Sequence, residues 1–377
     1  MKETKVLIIG AGFAGLASAS SLKKMGTDYI LIEKEAQVAA PWRNHYERLH
    51  LHTDKGLSAL PYKKFEHAVP RYPSRQQVVD YAEAYQKEFN ISPVFNAEAI
   101  SSRKVGDYWM TETSNGAFKS KYLIIATGPY GKPKSVNFKG METFPGRIIH
   151  SREYKTGRDF KGQKVLVVGF GNSACEIAMD LHEQGAMPTM SVRSPVNVVP
   201  RDFMGIPIVR ISLLMSKLPS RLADIITAPL IWLSFGNLKI LGLKKPPYGP
   251  FEQIEKEMKI PLLDIGTIRY IRKGFIRIND NIECIAGKTI HFVNGHQEDF
   301  DAVVAAIGYS ADYAGFLHTE KERFDDLKQS IGKQKFFGYA GLYFCGFWIG
   351  PTGEIRELSK DAKTIASDIA RREKHKG

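Results

Sequence analysis

The sequence predicts an α/β protein with two nucleotide-binding domains, one inserted into the other. Two glycine-rich loops, at residues 10–15 and 169–174, carry this prediction, because each follows a short apolar run and opens a helical pattern. The tail of the chain is the third observation, with a strand pattern, a Gly/Pro loop and a long helical pattern. We therefore expect the C-terminal helix to return to the first domain.

The first loop lies in KVLIIGAGFAGLASASSLKKMGTDYILIEK, a strand–loop–helix–strand pattern typical of a Rossmann-like domain. Gly10 permits a tight turn, Gly12 lets backbone N–H groups approach a pyrophosphate, and Gly15 lets helix and strand pack closely. Glu33 ends the second strand, where a carboxylate can accept hydrogen bonds from ribose hydroxyls. The predicted dinucleotide-binding residues are Gly10, Ala11, Gly12, Phe13, Ala14, Gly15 and Glu33.

The second loop lies in KVLVVGFGNSACEIAMDLHEQGAMPTMSVRSP and has the form G-x-G-x-x-A. The expected acid is missing, and Arg193 and Ser194 stand near its place. A cation and a hydroxyl suit a 2′-phosphate, which a carboxylate would repel. The pattern therefore predicts NADPH rather than NADH, unless Arg193 only covers the strand surface. The predicted residues are Gly169, Gly171, Asn172, Ser173, Ala174, Arg193 and Ser194.

Two dinucleotide loops with opposite charge requirements indicate a flavoprotein, with FAD in the first domain and NADPH delivering hydride from the second. The formal net charge of +13 suits anionic cofactors. It would also suit nucleic acid, but no recognised nucleic-acid motif is present, and such a partner is not expected. The uncharged run 225–238 is too short to span a bilayer. A packed helix or a pocket wall is favoured there over peripheral membrane contact.

The compartment is predicted from the N-terminus and the cysteines. The N-terminus runs directly into a strand pattern, so we expect no signal peptide. The three cysteines form no C-x-x-C pair, which disfavours a disulfide framework or a dithiol centre. We therefore expect a cytoplasmic protein. The sequence indicates no oligomeric state.

The expected domain order is an N-terminal part of the FAD domain (1–155), an NADPH domain (160–310) and a C-terminal part of the FAD domain (311–377). Ser74 and Gln77 form a capping box that predicts a helix to about residue 89. Residues 95–128 alternate and contain Asn115-Gly116, which predicts a β-meander ending at Thr127 and Gly128. Residues 144–154, which join the domains, match neither a clean strand nor a clean helix.

Those joining residues nevertheless carry F-x-G-x-x-x-H-x-x-x-Y at Phe144, Gly146, His150 and Tyr154, which resembles the fingerprint of flavin-containing monooxygenases. Its place between the two glycine loops and the later AIGY strengthen the resemblance, which covers essentially the whole chain. The segments LHLHTDK, YPSRQQVVDY and FKGQKVLVVGFGNSACEIAMDL are similar to the YUCCA branch of that family.

The resemblance implies that NADPH reduces FAD, that O2 adds at flavin C4a, and that the C4a-(hydro)peroxyflavin oxygenates a small molecule. The substrate would be a soft nitrogen or sulfur centre, or an aromatic 2-oxo acid such as indole-3-pyruvate. A Baeyer–Villiger ketone monooxygenase and a non-oxygenating NADPH-dependent flavin reductase are the alternatives. The fingerprint argues against the reductase.

The resemblance also implies residue roles. Residues bordering the flavin would be Pro41, Trp42 and Arg43, with Thr127 and Gly128 completing the FAD site. His52 and Thr53 would lie near the reactive flavin edge and the nicotinamide, where animal-type members have Asn-Ser. His150 would anchor the crossing between domains rather than act as an acid or base. A metal site from His45, His50 and His52 is not expected, because no carboxylate or cysteine spacing supports one.

Overall fold

The computed structural model describes residues 1–318 and 339–374. The chain divides into two compact units. The first contains residues 1–44, 53–132 and those from 309 onwards, and the second contains 45–52 and 133–308. Residues 45–52 and 133–155 thus belong to the second unit, whereas the sequence assigned them to the first domain. The reason at 133–155 is a short strand, Arg147–His150, that pairs within the second unit's sheet.

The first unit is built on a seven-stranded sheet in the order β2-β1-β5-β4-β3-β20, with β21 also paired to β5. Its central strands run parallel and its β3-β4-β5 meander runs antiparallel. The strands are β1 (Lys2–Ile9), β2 (Tyr29–Ile32), β3 (Ala99–Val105), β4 (Tyr108–Thr113), β5 (Gly116–Ile125), β20 (Leu317–His318) and β21 (Leu342–Phe344). The predicted hairpin at Asn115-Gly116 is confirmed by the pairing of Thr113 with Gly116.

Four helices flank this sheet: α1 (Phe13–Lys24), α2 (Ala40–Arg43), α3 (Arg75–Glu88) and α9 (Glu354–Lys374). The capping box is confirmed, with Ser74 accepting from the Gln77 N–H and Gln77 accepting from the Ser74 N–H. Helix α9 packs against α1, which confirms the return of the C-terminal helix. The core lies between, around Leu7, Leu123 and Phe344.

The second unit is built on a five-stranded parallel sheet in the order β14-β9-β8-β18-β7. These strands are β7 (Arg147–His150), β8 (Lys164–Val168), β9 (Met187–Ser191), β14 (Arg277–Asn279) and β18 (Ala302–Ala305). The joining residues 144–154 therefore do contain a strand, since residues 147–150 form the edge of this sheet. Helix α4 (Asn172–Glu183) follows β8, as the second glycine loop predicts.

The remaining elements of the second unit are short. A three-stranded antiparallel sheet is formed by β15 (Ile282–Ala286), β16 (Thr289–Phe292) and β17 (Gln297–Asp299). Two-stranded pairs are β10 (Val198–Pro200) with β13 (Leu262–Asp264), and β11 (Asp202–Phe203) with β12 (Ile206–Pro207). The helices are α5 (Ile208–Met215), α6 (Ser220–Phe235), α7 (Pro250–Glu257) and α8 (Thr267–Arg272). Strands β6 (Lys132–Pro133) and β19 (Tyr309–Ser310) lie where the chain changes unit.

The apolar run 225–238 falls mainly in α6 and contains Pro229. The expectation of a packed helix holds for one face only, because Ile225, Trp232 and Leu233 are exposed. Within the part of the chain that the structure describes, no helix is long and apolar enough to cross a membrane.

Candidate functional site

The first glycine loop packs tightly against backbone atoms on one side and has free space on the other. At Gly10, with φ +101°, an added Cβ would lie 2.9 Å from the carbonyl oxygen of Ala126. At Gly15 an added Cβ would overlap the carbonyl oxygen of Gly10. At Gly12, in contrast, no described atom lies within 4 Å of the added Cβ position. The loop therefore fits tightly between strands and leaves one open face, as a pyrophosphate cradle requires.

Glu33 is tied to this loop. Its Oε2 accepts a hydrogen bond from the Ala11 N–H at 2.6 Å, and its Oε1 accepts one from the Glu35 N–H at 3.1 Å. The carboxylate is buried just beyond β2. Each oxygen keeps a second lone pair, so ribose hydroxyls can still donate to it. Glu33 thus fixes the loop and remains able to bind a ribose.

Helix α1 presents its N-terminus at the open face. Gly12 is the N-cap without a side-chain hydrogen bond, and the first turn, which includes Phe13 and Ala14, has no acidic residue. Free N–H groups and the helix dipole at such an end favour an anion. The diphosphate of FAD meets this requirement.

The short helix α2 lies beside the first loop. The Ala39 N–H donates to the Ala11 carbonyl at 3.1 Å, and the Trp42 ring lies 6.2 Å from the Phe13 ring. Arg43 donates from Nε to the Val38 carbonyl at 2.9 Å, while Pro41 at the helix start is exposed. The structure therefore brings these three predicted flavin-bordering residues to the loop.

Thr127 and Gly128 follow β5 beside the same loop. Within the described residues, the buried hydroxyl of Thr127 has no hydrogen-bond partner. A buried hydroxyl without a partner is costly unless a ligand supplies one. Gly128 has φ +75° and open space around its Cβ position. Together with the open Gly12 face, this unpaired hydroxyl shows that the residues present fit a bound dinucleotide.

Thr53 belongs to the first unit as well. Its hydroxyl lies 2.6 Å from the Ser58 hydroxyl. An added Cβ on Gly353, just before α9, would lie 3.3 Å from Thr53 Cγ2. Thr53 is thus held at the start of the C-terminal helix.

The second glycine loop repeats the geometry of the first. An added Cβ on Gly169, with φ +120°, would lie 2.6 Å from the Ala306 carbonyl oxygen, whereas Gly171 has open space. Ala174 is fully buried at the position equivalent to Gly15. Of the first turn of α4, Asn172 accepts the Leu263 N–H at 3.0 Å, and Ser173 is half-buried. Asn172 therefore joins the loop to β13.

Arg193 and Ser194 follow β9 and are both exposed. For Arg193, the structure shows no ion pair within the residues that it describes. An exposed guanidinium at the end of this strand can form a bidentate pair with a phosphate. The second loop and these two residues therefore fit NADPH.

His52 contacts a residue that the sequence did not single out. Its Nε2 hydrogen-bonds Glu176 Oε1 of α4, and the Glu176 side chain is 1% exposed. The other oxygen, Oε2, lies 4.0 Å from Arg48 Nη1 and has no hydrogen bond to any described residue. A buried carboxylate is unfavourable unless hydrogen-bond donors or cations surround it. Because His52 is the hydrogen-bond partner of the buried Glu176, the interaction that holds the imidazole in place is strong.

Arg48 connects this pair to the end of α4. Its Nε and Nη2 donate to both carboxylate oxygens of Glu183, at 2.9 and 2.8 Å. This hydrogen bond with Arg48 lowers the pKa of Glu183, and the Tyr270 hydroxyl donates to the same carboxylate at 2.9 Å. The segment 45–52 is thus fastened to α4 at two points.

The fingerprint residues are also structural anchors. At Gly146 an added Cβ would overlap the Asp301 carbonyl oxygen, so only glycine fits there. The buried Tyr154 donates to Asp180 Oδ2 at 2.6 Å, and burial followed by this carboxylate raises the pKa of its phenol. Phe144 is buried in the core of the unit.

His150 lies at the end of β7. Its Nε2 donates to the Gly308 carbonyl at 3.2 Å, and its Nδ1 accepts the Arg152 N–H at 3.1 Å. Both contacts suit the neutral ring, and burial lowers the pKa of His150. The ring therefore connects the end of β7 to the chain at Gly308.

Comparison with known proteins assigns the family. The model of the pyridine nucleotide-disulphide oxidoreductase family matches residues 7–202. The chain is 36% identical over 371 residues to the probable indole-3-pyruvate monooxygenase YUCCA4 of Arabidopsis thaliana, covering 96% of this chain and 89% of that protein. The chain belongs to the flavin-containing monooxygenases, in their YUCCA-like branch.

Solved structures of flavin-containing monooxygenases share the fold. The flavin-containing monooxygenase of Stenotrophomonas maltophilia has a TM-score of 0.71 at 17% identity, with 99% of both chains covered. The cyclohexanone monooxygenase of Rhodococcus sp. Phi1, solved with NADP+, has a TM-score of 0.74 at 16% identity, covering 99% of this chain and 85% of that one. The predicted α/β fold with two dinucleotide-binding domains is confirmed. The protein is an FAD- and NADPH-dependent monooxygenase that uses O2 on a small molecule.

The structure collects the candidate residues into two groups, following the two units. The first unit holds the candidates for FAD except His52, and the second holds those for NADPH together with His52 and His150. Sequence reasoning missed Glu176, Asp180 and Arg48. The sequence pattern that could have pointed to the two acids is their spacing in the otherwise apolar segment ACEIAMDL. Acids four residues apart lie on one face of a helix.

The three histidines of segment 45–52 have separate partners. His50 Nδ1 donates to the Arg48 carbonyl at 2.7 Å, His45 packs edge-on against Tyr46, and His52 contacts Glu176. In the described ranges, no group of three or more His, Cys, Asp or Glu side chains could hold a metal ion.

Proposed function

We propose that this monooxygenase acts on an aromatic 2-oxo acid of the indole-3-pyruvate class and releases its carboxyl group as carbon dioxide. One 2-oxo acid, one O2, one NADPH and one proton would give the acid shortened by one carbon, CO2, NADP+ and water. The observation that supports this substrate is the 36% identity, over nearly the whole chain, to a relative named for indole-3-pyruvate.

When bound, the flavin accepts hydride and provides the place where O2 is activated. We propose that the chain contributes the open face of Gly12 and the α1 N-terminus, which bind the diphosphate of FAD, and the Glu33 carboxylate, which binds a ribose. Trp42 and Arg43 would border the ring system, and the buried Thr127 hydroxyl would find its missing hydrogen-bond partner there.

In the second unit, we propose that Gly171 and the α4 N-terminus receive the pyrophosphate of NADPH and that Arg193 binds its 2′-phosphate, assisted by Ser194. The support is the exposed position of both side chains after β9. A guanidinium and a dianionic phosphate pair strongly, and NADH offers no such group.

We propose that His52 is a positioning residue for the nicotinamide, held by Glu176. The interaction with Glu176 restricts the imidazole, so its position relative to α4, which begins at the NADPH loop, is fixed. A fixed ring can keep the reacting groups aligned and water away from them. His150 would keep β7 in register with the chain at Gly308 and would not exchange protons with substrate.

The test is NADPH-dependent O2 uptake by the purified holoenzyme with indole-3-pyruvate, trimethylamine, a thioether and a cyclic ketone as separate substrates. We expect indole-3-pyruvate to be consumed with CO2 and the shortened acid formed in equal amounts. Oxygenation of trimethylamine or the thioether alone would replace the substrate class. An ester from a ketone would indicate Baeyer–Villiger chemistry, and NADPH oxidation without any oxygenated product would indicate a reductase.

We further propose a cytoplasmic location. All three cysteines, Cys175, Cys284 and Cys345, are free thiols, which suits a reducing compartment. The basic surplus is assigned to the two anionic cofactors rather than to nucleic acid. Fractionation of cells that express the chain, with a redox state assay of the thiols, tests this location.

A further inference from the structure

Helix α6 has its large apolar side chains on the outside. Its outward side carries Leu222, Ile225, Ile226, Trp232 and Leu233, of which Trp232 is 66% and Leu233 68% exposed. We call these five residues the outer face of α6. The buried side carries the small or polar residues Ala223, Asp224 and Thr227, with Phe235 at the C-terminal end as its one large apolar residue. This is the reverse of a helix that packs in a soluble protein, where the large apolar residues face the core.

Further exposed apolar side chains lie in the segments that flank α6 in the sequence. Leu214 at the end of α5 is 61% exposed, and Ile240, in the short 3-10 helix Leu238–Leu241, is 77% exposed. Met204, at the turn between β11 and β12, is also exposed. The five large apolar side chains of the α6 outer face alone indicate a partner, because monomeric proteins rarely leave large contiguous apolar surface in water.

The charges along this stretch of the chain are mostly positive. Residues 204–245 contain six basic residues and a single acidic one. The acid, Asp224, is turned inward, where its carboxylate accepts the N–H groups of Phe251 and Glu252 at the start of α7, both at 2.9 Å. Glu255 of the neighbouring helix α7 hydrogen-bonds the Ser220 hydroxyl, so one exposed acid also lies at the start of α6. Lys217, Arg221, Lys239 and Lys245 remain exposed beside the outer face.

We propose that the outer face of α6 binds the surface of a membrane that contains anionic lipids. Apolar side chains with a tryptophan would enter the interface while the flanking cations contact the headgroups. The helix has 16 residues, too few to span the hydrocarbon core, so it would lie in the plane of the surface. This inference goes beyond the oxygenation reaction and holds for any substrate.

A second copy of the chain fits this surface less well. In a two-fold dimer each patch meets its own equivalent. The cations Lys217 and Arg221 of one copy would then face a surface that carries the same cations in the other copy. Like charges across an interface are unfavourable, whereas anionic lipid neutralises them. Charge complementarity therefore favours the membrane.

The experiment measures co-sedimentation of the holoenzyme with vesicles of phosphatidylcholine and of phosphatidylcholine mixed with phosphatidylglycerol. We expect binding to the mixed vesicles that weakens with added salt. Trp232→Ser combined with Leu233→Ser should lower it more than about tenfold, because two large side chains lose their burial. Lys217→Glu with Arg221→Glu should lower binding to the anionic vesicles selectively.

Ile100→Ser is the matched control, since Ile100 is a similarly exposed residue, 57%, on β3 of the other unit. It should leave vesicle binding unchanged. Flavin content and NADPH oxidation, measured for every variant, establish that each is folded. Absence of vesicle binding by the wild type overturns the proposal, as does equal binding by the wild type and the Trp232/Leu233 variant. A wild-type dimer that this variant dissociates, without vesicle binding, assigns the surface to a second copy instead.

Discussion

The two glycine loops follow the same backbone course, but the helices behind them bury different side chains. None of the buried residues of α1 is charged, and the loop before it is completed by Glu33 from the next strand. Helix α4 buries two carboxylates, Glu176 and Asp180, and its loop is followed by the exposed Arg193 instead of an acid. Both helices contact distant parts of the chain, α1 through apolar and hydroxyl groups such as Ser20 with Tyr85, and α4 through buried carboxylates.

Each buried carboxylate of α4 holds one segment that the sequence had singled out. Glu176 binds His52, and Asp180 binds the Tyr154 hydroxyl at 2.6 Å and the Gly157 N–H at 2.7 Å. The tyrosine of the fingerprint is therefore bound to the helix that begins at the NADPH loop. Asp180 thus joins the fingerprint to the helix that begins at the NADPH loop, and Glu176 joins the segment 45–52 to the same helix.

The largest effect is expected at Gly15 and Ala174. These positions are equivalent in the two loops, but only the second has room for a Cβ. Gly15→Ala places a Cβ on the Gly10 carbonyl oxygen, so the backbone must shift. We expect a loss of about 3 kcal/mol in the free energy of unfolding and loss of bound flavin. Urea denaturation and the flavin content per chain measure both quantities.

Ala174→Gly is the control for that variant, because it changes the equivalent position in the opposite direction. It should cost about 1 kcal/mol through helix propensity and leave the flavin bound. Full flavin content and wild-type stability in Gly15→Ala would show that the first loop is not held as tightly as its geometry indicates.

The next effect tests the buried carboxylate that only α4 has. His52→Ala leaves Glu176 without its hydrogen-bond partner and should cost about 3 kcal/mol of stability. We also expect more H2O2 per NADPH and less product, with flavin reduction within roughly tenfold of wild type, because Arg193 still binds the cofactor. Product and H2O2 are measured in one assay, alongside thermal unfolding.

Adding Glu176→Gln to His52→Ala separates the two roles of the histidine. The double variant no longer buries an unpartnered carboxylate, so most of the stability should return. If His52 positions the nicotinamide, H2O2 release should stay high in the double variant. Recovery of normal coupling would instead restrict His52 to its contact with Glu176.

A smaller effect is expected at Arg193, which tests the charge difference between the loops. Arg193→Ala removes a charge-assisted contact worth about 1.5–3 kcal/mol, so KM for NADPH should rise roughly ten- to a hundredfold. KM for NADH should change little. Arg103→Ala, at an exposed arginine on β3, is the control. Equal shifts for both nucleotides would contradict the 2′-phosphate assignment.

The features that can be predicted from the sequence are those whose determining residues are close together along the chain. The glycine loops, the capping box at Ser74 and the hairpin at Asn115-Gly116 each depend on local backbone requirements, and the structure has all of them. The positions of Gly10 and Gly169 follow from the same requirements.

The rest depends on partners that are distant in sequence. His52 and Glu176 are 124 residues apart, so no local pattern predicts their contact. Strand β7 is four residues long and its neighbour β18 begins at Ala302, so no local pattern predicts that the second compact unit extends back to residue 133. The apolar run in α6 predicted a helix correctly, but its composition does not say which face is covered.

The smallest effect concerns pH and the fingerprint histidine. Burial lowers the pKa of His150, so the native state binds a proton less readily than the unfolded chain, where the ordinary value is about 6.5. Its contribution to stability is therefore complete above that value and is lost as the pH falls through the lower native pKa. Protonation would also remove the Nδ1 lone pair that accepts the Arg152 N–H.

We expect the wild type to lose stability relative to His150→Gln as the pH falls from about 7 toward 5. Urea denaturation at several pH values measures this difference, and NMR titration of the ring locates the native pKa. A pKa at or above 6.5, with parallel stability curves for the two proteins, would show that the ring is not held neutral between β7 and Gly308.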